Sequence, residues 1–200
     1  MLARGPGEPA VLIDMPPDVD GIAALVAAHD LIPVAALATH AHIDHWGGAG
    51  GVADRWTLTT YLHPDDDWMA ADPEAQIRAL FGMPIPGDFR PPDTYSDLAD
   101  GQVLDIAGFA VEVLHTPGHT PGHCCFHVPD EGLLFSGDQL FAGSIGRSDL
   151  PGGDYDTLMR SMGDKIVPLP AETDVLPGHG PVTTLAAELA TNPFLEDFRP

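Results

Sequence analysis

At 200 residues with 44 % hydrophobic side chains, the chain is long enough to bury a core as one globular domain, residues 1–200. Thirty acidic residues against eight basic ones give a net charge of -22, a field that repels phosphate backbones and anionic membranes and so argues against both as partners. The two cysteines, Cys124 and Cys125, are adjacent and cannot form an ordinary disulfide framework, and no stretch has the length of a membrane span or the pattern of a leader, which together point to a cytoplasmic protein.

The first predicted strand is "AVLID", 10–14, followed by a helix with Val19, Ile22, Leu25 and Val26 at helical spacing. "IPVAALATH" then reads as an interior strand, with the cluster "THAHIDHWGG" at its C-terminal edge. A helix over 45–54, a strand "TLTTYL" and short helices at "PDDDWMA" and "PEAQIRALF" follow. The proline- and glycine-rich stretch 82–92 is a loop lying over the domain rather than a linker. Four strands come next, "QVLDIAG", "FAVEVLHT", "HCCFHV" and "EGLLFSGD", the first two joined by a tight turn at "AGF". A helix "YDTLMRSMGDKI", with Leu158, Met159 and Met162 at helical spacing, a strand "TDVLPGHG" and a short helix "TTLAAELAT" complete the pattern. Alternating strands and helices, with polar motifs at strand ends, predict a layered α/β fold whose chemistry sits on the loops.

Four of those loops end in potential metal ligands: His40, His42, Asp44 and His45; His119; Asp138; and His179. In H-x-H-x-D-H the side chains leave one tight loop in several directions, so His40 and His42 can bind one ion while Asp44 and His45 reach a second. Imidazoles and carboxylates suit borderline divalent ions such as zinc or iron, and a carboxylate such as that of Asp138 can bridge two of them. Two ions a few ångströms apart would lower the pKa of a shared water toward ~7, which predicts hydrolysis.

The remaining polar residues read differently. His29 ends a helix and His127 lies in a strand, both structural, and His63, His115 and His123 read first as structure though they stand near the ligand loops. Cys124 and Cys125 read as buried packing, and Asp65, Asp66 and Asp67 as acids at a helix N-terminus. Arg147, in the loop "GSIGRSDLPGGD", either holds a carboxylate, as a substrate contact, or orients its loop.

Taken together, "THAHIDH", "HTPGHTPGH", "SGDQLF", "GRSD" and "PGHGP", in this order and at these intervals, resemble the metallo-β-lactamase superfamily, specifically its short glyoxalase II-like (hydroxyacylglutathione hydrolase-like) enzymes, over about residues 10–182. The resemblance implies a four-layer αββα sandwich with a dinuclear site at one edge between two sheets. One ion would take His40, His42 and His119, the other Asp44, His45 and His179, with Asp138 bridging. Zinc is the first expectation for both, with iron or mixed occupancy as the alternatives. The implied reaction is attack of metal-bound hydroxide on the carbonyl of a small acyl-thiol thioester, S-lactoylglutathione or its equivalent on another thiol. Asp44 and Asp138 would be the catalytic carboxylates, with Asp44 orienting the hydroxide or accepting its proton.

The chain departs from full-length glyoxalase II in lacking its helical C-terminal domain, and it lacks the first strand or two that relatives carry before the one matching "AVLID". Either the true start lies upstream or one sheet edge is bare, and a bare edge predicts a homodimer. The competing readings are a persulfide dioxygenase-like oxidoreductase with one iron on His40, His119 and Asp138, and a non-enzymatic metal-binding protein on the same scaffold.

Overall fold

A computed structural model describes residues 1–199, which fall into two compact units: 1–98 with 105–109, and 99–104 with the described residues from 110 on. The first is built on a five-stranded sheet, β1 (Leu2–Ala3), β2 (Pro9–Ile13), β3 (Ile32–Leu37), β4 (Thr59–Leu62) and β5 (Ser96–Asp97), lying in that order. β1 pairs antiparallel with β2, and the pairs from β2 to β5 are all parallel. Parallel neighbours need crossovers, and helix α1 (Val19–Ala28) supplies the first. Asp18 starts α1 by accepting the Gly21 N–H. Of the four apolar positions that predicted α1, Val26 is buried, whereas Leu25 is 53 % exposed, so the helix docks through a narrower stripe than the spacing suggested. The core here gathers Leu12, Met15, Ala36, Trp46, Leu62 and Met69.

Two expectations change in this unit. The edge beside "AVLID" is not bare along its first residues, because Leu2 and Ala3 pair with Val11 and Ala10. The single helix expected over 45–54 is two, α2 (Ile43–Trp46) and α3 (Ala49–Trp56). Gly47 and Gly48 interrupt it: the Gly48 N–H is spent on the Met15 carbonyl, and a Cβ at Gly48 would collide with the Pro16 carbonyl. Farther on come α4 (Asp67–Ala70) and α5 (Pro73–Phe81), then an irregular 82–92. That loop is tied to α3 by Arg90, which ion-pairs with Asp54, and Gly50 of α3 leaves room for the Arg90 and Pro91 carbonyls.

The second unit carries most of a six-stranded sheet in the order β13-β12-β9-β8-β7-β6. Its strands are β6 (Val103–Ile106), β7 (Phe109–His115), β8 (Cys124–Val128), β9 (Leu133–Gly137), β12 (Asp174–Pro177) and β13 (Thr183–Thr184), with β10 (Leu140–Phe141) and β11 (Ser144–Ile145) forming a separate hairpin. The predicted turn between β6 and β7 is made by Ala107 and Gly108, both at positive φ (51° and 76°), the combination that matches strand twist in a two-residue hairpin. Helix α6 (Tyr155–Ser161) is shorter than its sequence pattern, since Met162–Ile166 widen into a π turn. Leu158 and Met162 nevertheless bury completely, joining Cys125, Leu134, Leu140 and Val175 in the second core. After β13, α7 (Leu185–Thr191) brings in Glu188, which is buried and accepts from the Gly143 N–H at 2.8 Å, the Thr183 hydroxyl at 2.7 Å and the Asn192 amide at 2.8 Å, pinning the β10–β11 turn.

Both cysteines are buried, and burial pushes the Cys125 thiol up to about 12. Ellman's reagent is therefore expected to titrate no thiol in the native protein and two after denaturation. Rapid native labelling would refute the packing role. No described helix is long and apolar enough to cross a membrane.

Candidate metal centre

In the first unit the chain leaves β3 at Leu37 and turns through Thr39 to His42 before α2 begins, so the cluster sits where the strand ends. His40, His42 and His45 are all buried, with ring centroids 4.7 Å apart for His40 and His42 and 4.1 Å for His40 and His45. Bare imidazoles packed this closely need their tautomers fixed, and Asp14 does so. Its carboxylate accepts the His45 Nδ1–H at 2.8 Å and the Thr39 hydroxyl at 3.0 Å. With its proton given to Asp14, the Thr39 oxygen accepts the His40 Nδ1–H at 3.0 Å. Both histidines are thus left with a lone pair on Nε2, the state a metal ligand requires. Asp44 is more exposed, its carboxylate 3.7 Å from His45 Nε2.

Asp14 carried no motif and was missed in the sequence; it sits one residue after β2 at φ 60°, a backbone region that aspartate tolerates better than most residues. Asp66 was also underread. Beyond its place at a helix start, its buried carboxylate accepts the Ala41 N–H at 3.0 Å, holding the backbone between His40 and His42. The Asp14→Asn variant keeps the backbone preference but loses the charge that faces the His45 Nδ1 proton directly and the His40 proton through the Thr39 hydroxyl. It should bind metal ten- to a hundredfold more weakly, measured by chelator competition. Unchanged affinity would show that Asp14 does not orient the histidines.

In the second unit, register brings the ligands to one edge. β9 and β12 run parallel with Pro177 opposite Gly137, and the Gly178 N–H reaches the Gly137 carbonyl at 2.8 Å, so Asp138 and His179 emerge past the same sheet edge. His119 Nε2 lies 3.4 Å from Asp138 Oδ2, and His179 Nε2 lies 3.8 Å from the same oxygen. The His119 Nδ1–H is donated to the Arg147 carbonyl at 2.6 Å, so its Nε2 lone pair faces the carboxylate. The His119 lone pair and the carboxylate oxygen, facing each other beyond ordinary hydrogen-bond length, repel unless a cation sits between them, and His179 Nε2 lies near enough to join, which makes this donor set fit a divalent ion.

His123, buried, accepts the Asp138 N–H on Nε2 at 3.0 Å, which places its own proton on Nδ1 for the Thr116 hydroxyl at 2.8 Å. It therefore positions the Asp138 backbone. The guanidinium of Arg147 turns to Asp149 with two bonds of 2.7 and 2.8 Å, each group holding the other's pKa away from its usual value in the charged direction. The other histidines are engaged locally: His63 accepts the Asp65 N–H, the His115 Nε2–H is donated to the Pro121 carbonyl, and His127 lies 3.3 Å from Glu112.

Comparison with known proteins agrees with this chemistry. The model of the metallo-β-lactamase superfamily matches residues 1–179. The hydroxyacylglutathione hydrolase GloC of Haemophilus influenzae is 34 % identical, the match covering 93 % of this chain and 87 % of that protein. Among solved structures, BLEG-1, a B3 metallo-β-lactamase, superposes with a TM-score of 0.86 at 40 % identity over 94 % of this chain and 90 % of its own. TTHA1623 in a di-iron-bound form superposes with a TM-score of 0.83 at 44 % identity, covering 92 % and 89 %.

Proposed function

Because this chain belongs to the metallo-β-lactamase superfamily, has its fold and is a metallo-hydrolase, we propose that it cleaves a small acyl-thiol thioester, as glyoxalase II-type enzymes do. In this reading the two units work as one domain. His40, His42 and His119 hold one divalent ion, Asp44, His45 and His179 hold the other, and Asp138 is shared. The observation that carries the proposal is the convergence of His119 and His179 on one Asp138 oxygen, with the His119 tautomer already set for ligation. Zinc remains the first expectation, and the di-iron form of TTHA1623 supports iron as the alternative.

When bound, such ions acidify a water toward about pH 7 and draw charge from the scissile carbonyl. The protein's own groups do the rest. Asp44, with a side chain 52 % exposed against 11 % for Asp138, is the carboxylate that solvent reaches more readily, and besides its place among the ligands it would orient the attacking water or accept its proton. The Nδ1 protons of His45 and His119 are committed to Asp14 and the Arg147 carbonyl. A thiolate suits this arrangement, because with a pKa of about 8.5 it leaves without a donated proton, unlike an amine. The net charge of -22 supports action on small molecules, without nucleic-acid or membrane partners, and the two adjacent free cysteines fit a cytoplasmic enzyme.

The likeness to BLEG-1 favours a second reading, β-lactam hydrolysis. Holoenzyme assayed against S-D-lactoylglutathione, further acyl thioesters, a chromogenic cephalosporin and a persulfide with an oxygen electrode separates the candidates. Thioester cleavage well above the others supports the proposal; β-lactam turnover or persulfide-dependent oxygen uptake alone would replace it.

A further inference from the structure

Resting on the thioesterase reading, we infer that the preferred thioester carries no net negative charge, the thiol portion being neutral or cationic rather than a polycarboxylate or phosphate. An anionic carrier needs cations to meet it, and the protein has spent its own. Five of its eight basic side chains lie in ion pairs with acids of the same chain. Two more, Arg4 and Arg199, donate to backbone carbonyls. Arg160 lies near enough to Asp154 to add to the hydrogen bonds from Thr157 that chiefly hold that carboxyl low.

The decisive cation is Arg147. Its carbonyl touches a candidate ligand, so it belongs to the loop that bears on the centre, yet its guanidinium donates from Nε and Nη2 to the two oxygens of Asp149. The Nε/Nη2 edge, one of the forks with which the side chain could grip a substrate carboxylate, is filled by an internal carboxylate. Lys165 is similarly chelated by both oxygens of Asp100, at 2.9 and 2.7 Å. Two divalent ions would cancel only a small part of a net charge of -22. Such a field changes encounter rates of charged ligands by about 10- to 1,000-fold, and salt screens it over a Debye length of about 8 Å at physiological ionic strength.

The test measures kcat/KM of the holoenzyme for three acetyl thioesters, acetylthiocholine (cation), S-acetyl-N-acetylcysteamine (neutral) and S-acetylglutathione (anion), at low and high sodium chloride. The cationic and neutral probes should exceed the anion by about tenfold or more at low salt. Added salt should raise the anion's value severalfold and leave the neutral probe within about twofold. Asp149→Asn, which frees Arg147, should improve the anion relative to the neutral probe. An anion that is preferred, with kcat/KM falling as salt rises, overturns the inference while leaving the thioesterase reading intact. Cleavage of none of the three by fully metallated protein overturns that reading, and the inference with it.

Discussion

Replacing Asp138 by alanine is expected to lower kcat/KM for thioester hydrolysis by about 10³-fold or more and to reduce the metal bound per chain. Asp138 follows β9 directly, and its one carboxylate oxygen lies within 3.4 Å of His119 Nε2 and 3.8 Å of His179 Nε2. Removing it takes away the carboxylate on which both imidazoles converge. The backbone bond from Asp138 N–H to His123 survives the substitution, so the fold should persist. Circular dichroism and a melting curve close to wild type, with hydrolysis lost, would confirm a functional rather than structural loss. Wild-type turnover in the variant would refute the assigned centre.

The second large effect is steric. At Gly146 an added Cβ would overlap the Asp138 carbonyl oxygen and come within 3.2 Å of His119 Nδ1. Neither contact can yield cheaply, because one is backbone and the other is locked in a bond to the Arg147 carbonyl. Gly146→Ala should therefore destabilise the protein by about 2–3 kcal/mol, lowering Tm by roughly 4–12 °C, and should weaken metal binding as the Asp138 strand end shifts. Gly5→Ala is the matched control, since a Cβ there meets nothing within 4 Å. Equal melting temperatures for the two variants would show that the loop gives way.

Legibility followed the length scale of each signal. The ligand loops could be read because each follows an apolar run long enough to show a strand and ends in ligand types at tight spacing, as "THAHIDH" and "FSGD" do. The two-residue strands β1, β5, β10, β11 and β13 could not, since two residues hold no alternation. The break between α2 and α3 turns on a carbonyl from residue 16 reaching Gly48, and the π turn after α6 leaves the apolar spacing nearly undisturbed. Asp14 was invisible for a deeper reason. Its partners Thr39 and His45 lie 25 and 31 residues away, and only the parallel pairing of β2 with β3 brings them together. The candidate ligands stood out by type and spacing, whereas the groups that set their tautomers required the fold.

Titrating metal-free protein with zinc, and separately with ferrous iron, while following bound metal and thioester hydrolysis in the same samples tests the central claim most directly. The account predicts that hydrolysis appears with metal, reaches its maximum at two ions per chain, and stays absent from the Asp138→Ala protein. Fully loaded protein that cleaves no thioester, or metal-free protein that cleaves one at full rate, would contradict it.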